Sequence, residues 1–363
     1  MNIFTESARQ QGFSIPLHAL RGLAALLVLL CHIQARIDEG FPQFAVVHIF
    51  NGSAAVTFFF VLSGLVVGAS LAKTGVTFNT TLVYAHRRVF RIMPLMLVTV
   101  TLGGLYLLYI DPHMPYSLNP KSYGEFNLMK FIAGYVGYSM KANPPTWSIF
   151  VELVASALIP LMILSGKNLR LIAFAVAACI ALSLLPFEFQ HYWNFYMISF
   201  YLGLSLLLWG KPVAALVARL PASTFWLLIL GLFTAFYLAR LITDAGYGDL
   251  WIVYCESILV AVLIAVIYYT PERFKLLSVP SLKFLGDISY SLYLTHSLLV
   301  ILLLNGCVYL LGASTIGAIV FVVSSIGISL LLATISYREI EMKGMHWGED
   351  LRKDKSLLEK TSN

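Results

Sequence analysis

The chain has 363 residues, of which 59% are hydrophobic and 12% charged, with a formal net charge of +6. Water-soluble domains carry roughly 25% charged residues. Half that density leaves too little polar surface for an aqueous exterior, and a mean hydropathy of +0.82 makes lipid the solvent for most of the chain. The positive balance does not read as a nucleic-acid footprint, because Lys and Arg fall in short loops between apolar runs, which is the pattern of membrane topology.

A membrane-crossing helix needs about 20 mostly apolar residues. Ten segments qualify, at about 17–37, 53–72, 91–110, 146–165, 169–186, 192–209, 223–243, 250–270, 283–304 and 307–336. The residues before the first run contain Arg9 but no basic cluster. The run itself holds Arg21 and His32 and lacks a small-residue cleavage site, so it reads as a retained helix and not a cleaved signal. Segment 126–140 is amphipathic and short, and is expected to be interfacial or re-entrant. The last run exceeds a minimal span and is expected to tilt or emerge into a cytoplasmic tail. With no visible repeat or linker, the sequence predicts an all-α polytopic membrane protein with about ten transmembrane helices. Residues 1–340 form one membrane domain and 341–363 a charged tail.

A cytoplasmic N-terminus puts eighteen of the 24 Lys and Arg residues inside, five outside (Arg36, Lys121, Lys130, Lys141 and Arg240) and Arg21 within a span. The reversed topology would put most positive charge outside, against the positive-inside rule. Both termini are therefore expected in the cytoplasm. The longest outer loop, about 111–145, contains Pro112, Pro115, Pro120, Pro144 and Pro145. A loop of that length is more often functional than idle, and it is expected to cover or frame an outward-facing site. Cys31, Cys179, Cys255 and Cys307 are isolated in apolar stretches without metal-ligand spacing, so they read as small buried residues.

Ionisable groups inside spans are costly and need partners or water. Arg21 and His32 are eleven residues apart, three turns along one helix and roughly 16 Å along its axis. They face the same way, with Arg21 near the inner surface and His32 in the outer half. The structural alternative is a snorkelling Arg plus a hydrogen-bonded core His. The third span opens with His86-Arg87-Arg88-Val89-Phe90-Arg91, which satisfies the positive-inside rule. It also places Arg88 and Arg91 on one face as i,i+3 neighbours. Two guanidinium forks at a helix N-terminus form an anion site suited to the pyrophosphate of a cytosolic acyl donor.

Glu152 is expected about 9 Å into its span, Glu256 at a similar depth in the eighth, and His296 roughly 18 Å from the inner end of the ninth. The acids and histidines thus map to the middle or outer half and the arginines to the inner half. Such His and Glu chains also line proton-coupled transporters. Ser63 and Gly64 read as helix packing, since a nucleophilic Ser needs an adjacent base that the sequence does not show. Tyr293 and His296 are i,i+3 neighbours in the polar run Gly286–His296. They can meet on one face, which is read as lined by water or substrate.

The blocks carrying these residues resemble acyltransferase family 3, the integral-membrane O-acyltransferases. Arg21-x10-His32 is similar to the family's first-helix motif and Arg88-x-x-Arg91 to its third-helix motif. Phe59-Phe60-Val61-Leu62-Ser63-Gly64, Thr146-Trp147-Ser148 to Glu152, and Ser289-Tyr290-Ser291-Leu292-Tyr293-Leu294-Thr295-His296 resemble further family blocks, all in the family's order over residues 14–340. The resemblance implies a multi-pass protein of a bacterial cytoplasmic (inner) membrane. It implies transfer of an acyl group, usually acetyl, from cytosolic acyl-CoA to a hydroxyl of an extracytoplasmic carbohydrate. The acceptor stays open among lipopolysaccharide, exopolysaccharide, capsule, an osmoregulated glucan and a small glycoside. No permanently bound cofactor is expected, with acyl-CoA as co-substrate. The absence of a hydrolase-like extension is expected to mark a stand-alone member.

The expected catalytic residues are His32, Glu152 and His296. Arg21, Arg88 and Arg91 are expected to bind acyl-CoA, and Ser63, Trp147, Tyr290 and Tyr293 to line the site. His32 would take the proton of the attacking hydroxyl or carry the acyl group in a two-step transfer. Glu152 or His296 would orient His32 or position the sugar. The competing classes are a proton-coupled transporter and a non-catalytic polysaccharide export or assembly protein.

Overall fold

The computed structural model describes residues 2–9, 12–45, 47–119, 126–186, 193–243 and 249–361, with side chains up to residue 351. Pro120, Lys121 and the first residue of the 192–209 run lie outside the described residues. The described chain is helical and contains no strand. Its helices are α1 (Ile3–Arg9), α2 (Ile15–Gly40), α3 (Gly52–Thr74), α4 (Phe78–Tyr109), α5 (Leu128–Gly134), α6 (Thr146–Leu164) and α7 (Leu169–Ser183). They continue as α8 (Met197–Ala218), α9 (Ala222–Thr243), α10 (Leu250–Tyr269), α11 (Pro280–Asp287), α12 (Ser289–Leu311), α13 (Thr315–Ser336) and α14 (Met342–Thr361).

Among the described residues nine helices are long and apolar enough to cross a membrane, and α7 is a shorter apolar helix. At 15 residues α7 rises about 22 Å, short of a hydrocarbon core of about 30 Å. The chain is a multi-pass integral membrane protein.

Three expected boundaries are corrected. The third span begins at Phe78, not near residue 91, so α4 is 32 residues long. The ninth does not run through residues 283–304: the helix breaks at Ile288 (φ −86°, ψ 1°), and Gly286 and Asp287 belong to α11. The tenth does not start at 307, because α12 continues to Leu311 and the chain turns at Gly312. There Ser314 caps α13 by accepting the Gly317 N–H. The last follows from apolar composition continuing across a helix end, the first from a helix start too polar to read as a span, and the break at Ile288 leaves no mark in hydropathy.

The chain divides into two compact units, one comprising Met1–Cys31, Val47–Thr77 and Trp147–Asp287, the other His32–Val46, Phe78–Thr146 and Ile288–Asn363. In the first unit α3 and α8 approach at glycine level. A Cβ on Gly64 would lie 2.1 Å from the Phe200 carbonyl oxygen, and one on Gly203 would lie 1.9 Å from that of Val61. Small residues permit this closeness where lipid gives helices no hydrophobic reason to associate. Asn51 starts α3 by accepting the Ala54 N–H and donates to the Tyr237 carbonyl at 2.7 Å. Also in this unit, Glu256 of α10 (0% exposed) meets Arg240 of α9 (6%). The guanidinium donates from Nε to Oε1 at 2.9 Å and from Nη2 to Oε2 at 3.1 Å, and Thr57 adds a bond to Oε2 at 3.0 Å. Arg240, counted from the sequence as an outer-loop charge, is thus buried within a helix.

The second unit is built on α4, α12, α13 and α14. Residues 337–341 form one π-helical turn between α13 and α14. Such turns re-aim a side chain without ending the helix, and here the turn holds Glu341 in a buried position. Residues after 340, read from the sequence as a tail, continue the helix. Their first turns pack on α4, where Nε2 of His86 meets the Gly348 carbonyl at 2.7 Å. Residues 126–140 contain only the two turns of α5, and the following stretch is buried at Ser139, Lys141, Ala142 and Asn143.

Candidate functional site

The site residues expected from the sequence fall into two groups, one in each unit. In the second unit, His32 sits on the C-terminal half of α2, and its ring lies 5.0 Å from that of His296 on α12, tilted by 40°. His296 is fully buried and its Nδ1 lies 3.1 Å from the Leu292 carbonyl. A carbonyl only accepts, so Nδ1 carries the proton and Nε2 of the neutral ring presents a lone pair. That Nε2 is buried with no hydrogen-bond partner among the described residues. The Tyr293 ring is 6.0 Å from His296, the contact that their i,i+3 spacing predicts. The Tyr290 hydroxyl donates to the Ile92 carbonyl at 2.6 Å, tying α12 to α4.

Arg88 and Arg91 lie on α4, three residues apart, with Arg88 half-buried and Arg91 36% exposed. They do not stand at a helix N-terminus. Ten and thirteen residues into α4 the backbone N–H groups are spent on intrahelical bonds, so that part of the expected anion site is withdrawn. Nη2 of Arg91 is 3.8 Å from Oε1 of Glu341, an ion pair too long for a hydrogen bond, and Nη1 is 3.7 Å from the Met345 sulfur. Glu341 is 1% exposed and accepts from Ser291 at 2.9 Å. A guanidinium has five donor hydrogens in a fixed fork, so this arrangement orients Arg91 without exhausting it.

In the first unit, Ser63 donates to Oε1 of Glu152 at 3.1 Å. A carboxylate in direct contact, with no imidazole between, positions a serine and does not activate it as a nucleophile. The Trp147 ring lies 6.3 Å from Phe60 and 6.0 Å from Tyr196, part of an aromatic cluster that also includes Phe200, 5.1 Å from Phe60. Arg21 is half-buried on α2, where His18, one turn earlier, meets Asp287 at 2.8 Å. Glu256, grouped by depth with the chemical residues, is held by Arg240 and Thr57 as described above. Among the described residues no three His, Cys, Asp or Glu side chains converge as a metal site.

Sequence reasoning missed Arg240 as a partner for Glu256, and Glu341 as a partner for Arg91. The first had a signal, an Arg inside an apolar helix followed by a Glu inside the next. The second had none, because the turn that aims Glu341 is invisible in composition.

The family model described as an acyltransferase domain matches residues 16–338. No curated protein and no solved structure matches the chain.

Proposed function

Because the chain belongs to acyltransferase family 3 and is a membrane acyltransferase, we propose that it moves an acyl group, most simply acetyl, from cytosolic acyl-CoA to a hydroxyl of a surface or exported carbohydrate. The paired imidazoles of His32 and His296 carry this reading: a buried lone pair with a fixed tautomer beside a second imidazole is what a proton-accepting site for a hydroxyl requires. The hydroxyl oxygen attacks the thioester carbonyl carbon, its proton passes to His32, and the C–S bond breaks. The proton then neutralises the departing CoA thiolate. His296 holds the hydroxyl or the His32 ring in place. Arg88 and Arg91 hold the donor phosphates, with Arg91 oriented by Glu341, and the family's first-helix motif adds Arg21 to the residues that use of the donor requires. Glu152 and Ser63 act as a hydrogen-bonded substrate-positioning pair. The distribution of Lys and Arg supports a cytoplasmic N-terminus, and the family resemblance supports a bacterial inner membrane.

The test is the ester content of the host's surface carbohydrate by NMR, in a deletion strain complemented with wild type, His32→Ala or Arg91→Ala at matched protein levels. Wild type is expected to restore the ester and both variants to fail. Equal ester with all three would overturn the reading.

A further inference from the structure

Within the second unit a closed circuit of contacts runs through the two histidines. One turn beyond His32 on α2, Arg36 donates to the carbonyls of Ser117 and Leu118, each at 3.1 Å. Next in the chain, Asn119 donates from Nδ2 to the Lys141 carbonyl. Two residues on, Asn143 donates from Nδ2 to the Leu294 carbonyl at 3.0 Å. Leu294 is two residues from His296 on α12, and His296 meets His32 again. The 139–143 stretch is pressed against α4 as well: a Cβ on Gly103 would lie 1.7 Å from the Ala142 carbonyl oxygen. Tyr106, 3% exposed, lies on the same face three residues later.

Four polar atoms on or beside this circuit are buried without a hydrogen-bond partner among the described residues: Oδ1 of Asn119, Oδ1 of Asn143, Nε2 of His296 and the Tyr106 hydroxyl. Buried polar groups are nearly always satisfied, and an orphan needs an explanation. The orientation of the first three is fixed by chemistry. Each side chain's donor nitrogen is spent on a backbone carbonyl, which cannot donate, so neither carboxamide can be flipped and the imidazole tautomer cannot be exchanged. The circuit therefore presents three enforced acceptors plus one hydroxyl that serves either way. Phosphate and thioester oxygens only accept, so the phosphates and reacting end of the acyl donor do not match. A ligand with several hydroxyl donors does.

We propose that Asn119, Asn143 and Tyr106 form the acceptor subsite, binding neighbouring hydroxyls of a polyol beside His32 and His296. The proposal rests on the acyltransferase reading and adds to it residues outside every motif named above. It is tested by steady-state transfer from acetyl-CoA to de-esterified surface glycan extracted from a deletion strain, with purified Asn119→Leu, Asn143→Leu and Tyr106→Phe proteins. Tyr106→Phe removes only an unpaired hydroxyl, which costs no folding stability, and so separates binding from misfolding. Its glycan KM is expected to rise about fivefold, and those of the Asn variants about tenfold, as for hydrogen bonds lost to a ligand, while the acetyl-CoA KM stays within about twofold. Glycan KM unchanged in Tyr106→Phe and in the folded Asn variants would assign the four atoms to water and overturn the proposal. A parallel rise in the acetyl-CoA KM, or a fall in kcat alone, would overturn it in favour of a structural role. No transfer by wild type would instead remove the function on which the proposal stands.

Discussion

The Arg240–Glu256 pair and the His32–His296 pair are both ionisable couples carried by apolar helices, yet they are finished differently. Around Glu256 both carboxylate oxygens and two guanidinium nitrogens are engaged, and Thr57 supplies a further donor. Around His296 one nitrogen is engaged and the other is left with a lone pair and no partner among the described residues. A closed cluster offsets its own desolvation and holds helices together. An open one keeps a group in reserve for something that arrives later. Depth in a span, which Glu256 shares with the two histidines in the sequence reading, does not separate structure from chemistry. The count of unspent lone pairs does.

The largest effect that tests this contrast is His32→Ala. Turnover is expected to fall about 10²–10⁴-fold, the usual worth of a general base, with an unchanged melting temperature. Retained turnover would leave the open pair without a chemical role. Glu256→Gln should do the reverse. Leaving Arg240 buried without its counter-charge costs about 3–5 kcal/mol, read as lower yield and melting temperature, while turnover per folded molecule holds. Replacing both partners by Leu and Met should recover most of that loss, and failure to recover would give the pair a task beyond closure.

Arg91→Ala should raise the acyl-CoA KM about tenfold or more, the worth of a charged hydrogen bond, with Arg91→Lys in between. An unchanged KM would return Arg91 to a role of topology alone. Gly203→Ala should cost about 1–3 kcal/mol by overpacking against α3, measured by thermal unfolding in detergent. The smallest effect, about 1 kcal/mol, is expected for Ser63→Ala. A loss of turnover far beyond that would move the Ser63–Glu152 contact from positioning to chemistry.

The sequence makes the helices legible because lipid demands long apolar runs, and the span from Ala222 to Thr243 was placed within a residue. It placed Tyr293 beside His296 because one helical turn does so. It could not place a helix end where composition stays apolar, as at Gly312, nor the break at Ile288, which hydropathy does not mark. It missed the true start of α4, since Phe78–Arg91 is polar enough to pass for a loop. Contacts between distant segments were out of reach in principle. Nothing local announces that Asn143 reaches Leu294, that Ser63 touches Glu152, or that Lys141, counted as an outer-loop charge, is 8% exposed. Small polar residues in loops carry no periodicity, and their roles appear only when the chain has closed on itself.

The closed pair also bears on how the protein is made. Arg240 and Glu256 sit on consecutive membrane helices, sixteen residues apart in the chain. Presented singly to the insertion machinery, a span with a charged residue carries a penalty that reaches about 2.5–3.5 kcal/mol at the helix centre and is smaller toward the ends, where Arg240 sits. Entering together as a hairpin, α9 and α10 present one neutral, internally bonded unit, with Thr57 on the earlier α3 already available to meet it. The order of synthesis thus supplies each charge with its counter-charge within a few residues of translation. A variant lacking either partner would lose part of its protein at the translocon, before folding begins, so the lower yield would arise during biogenesis while the folded remainder keeps its kinetics.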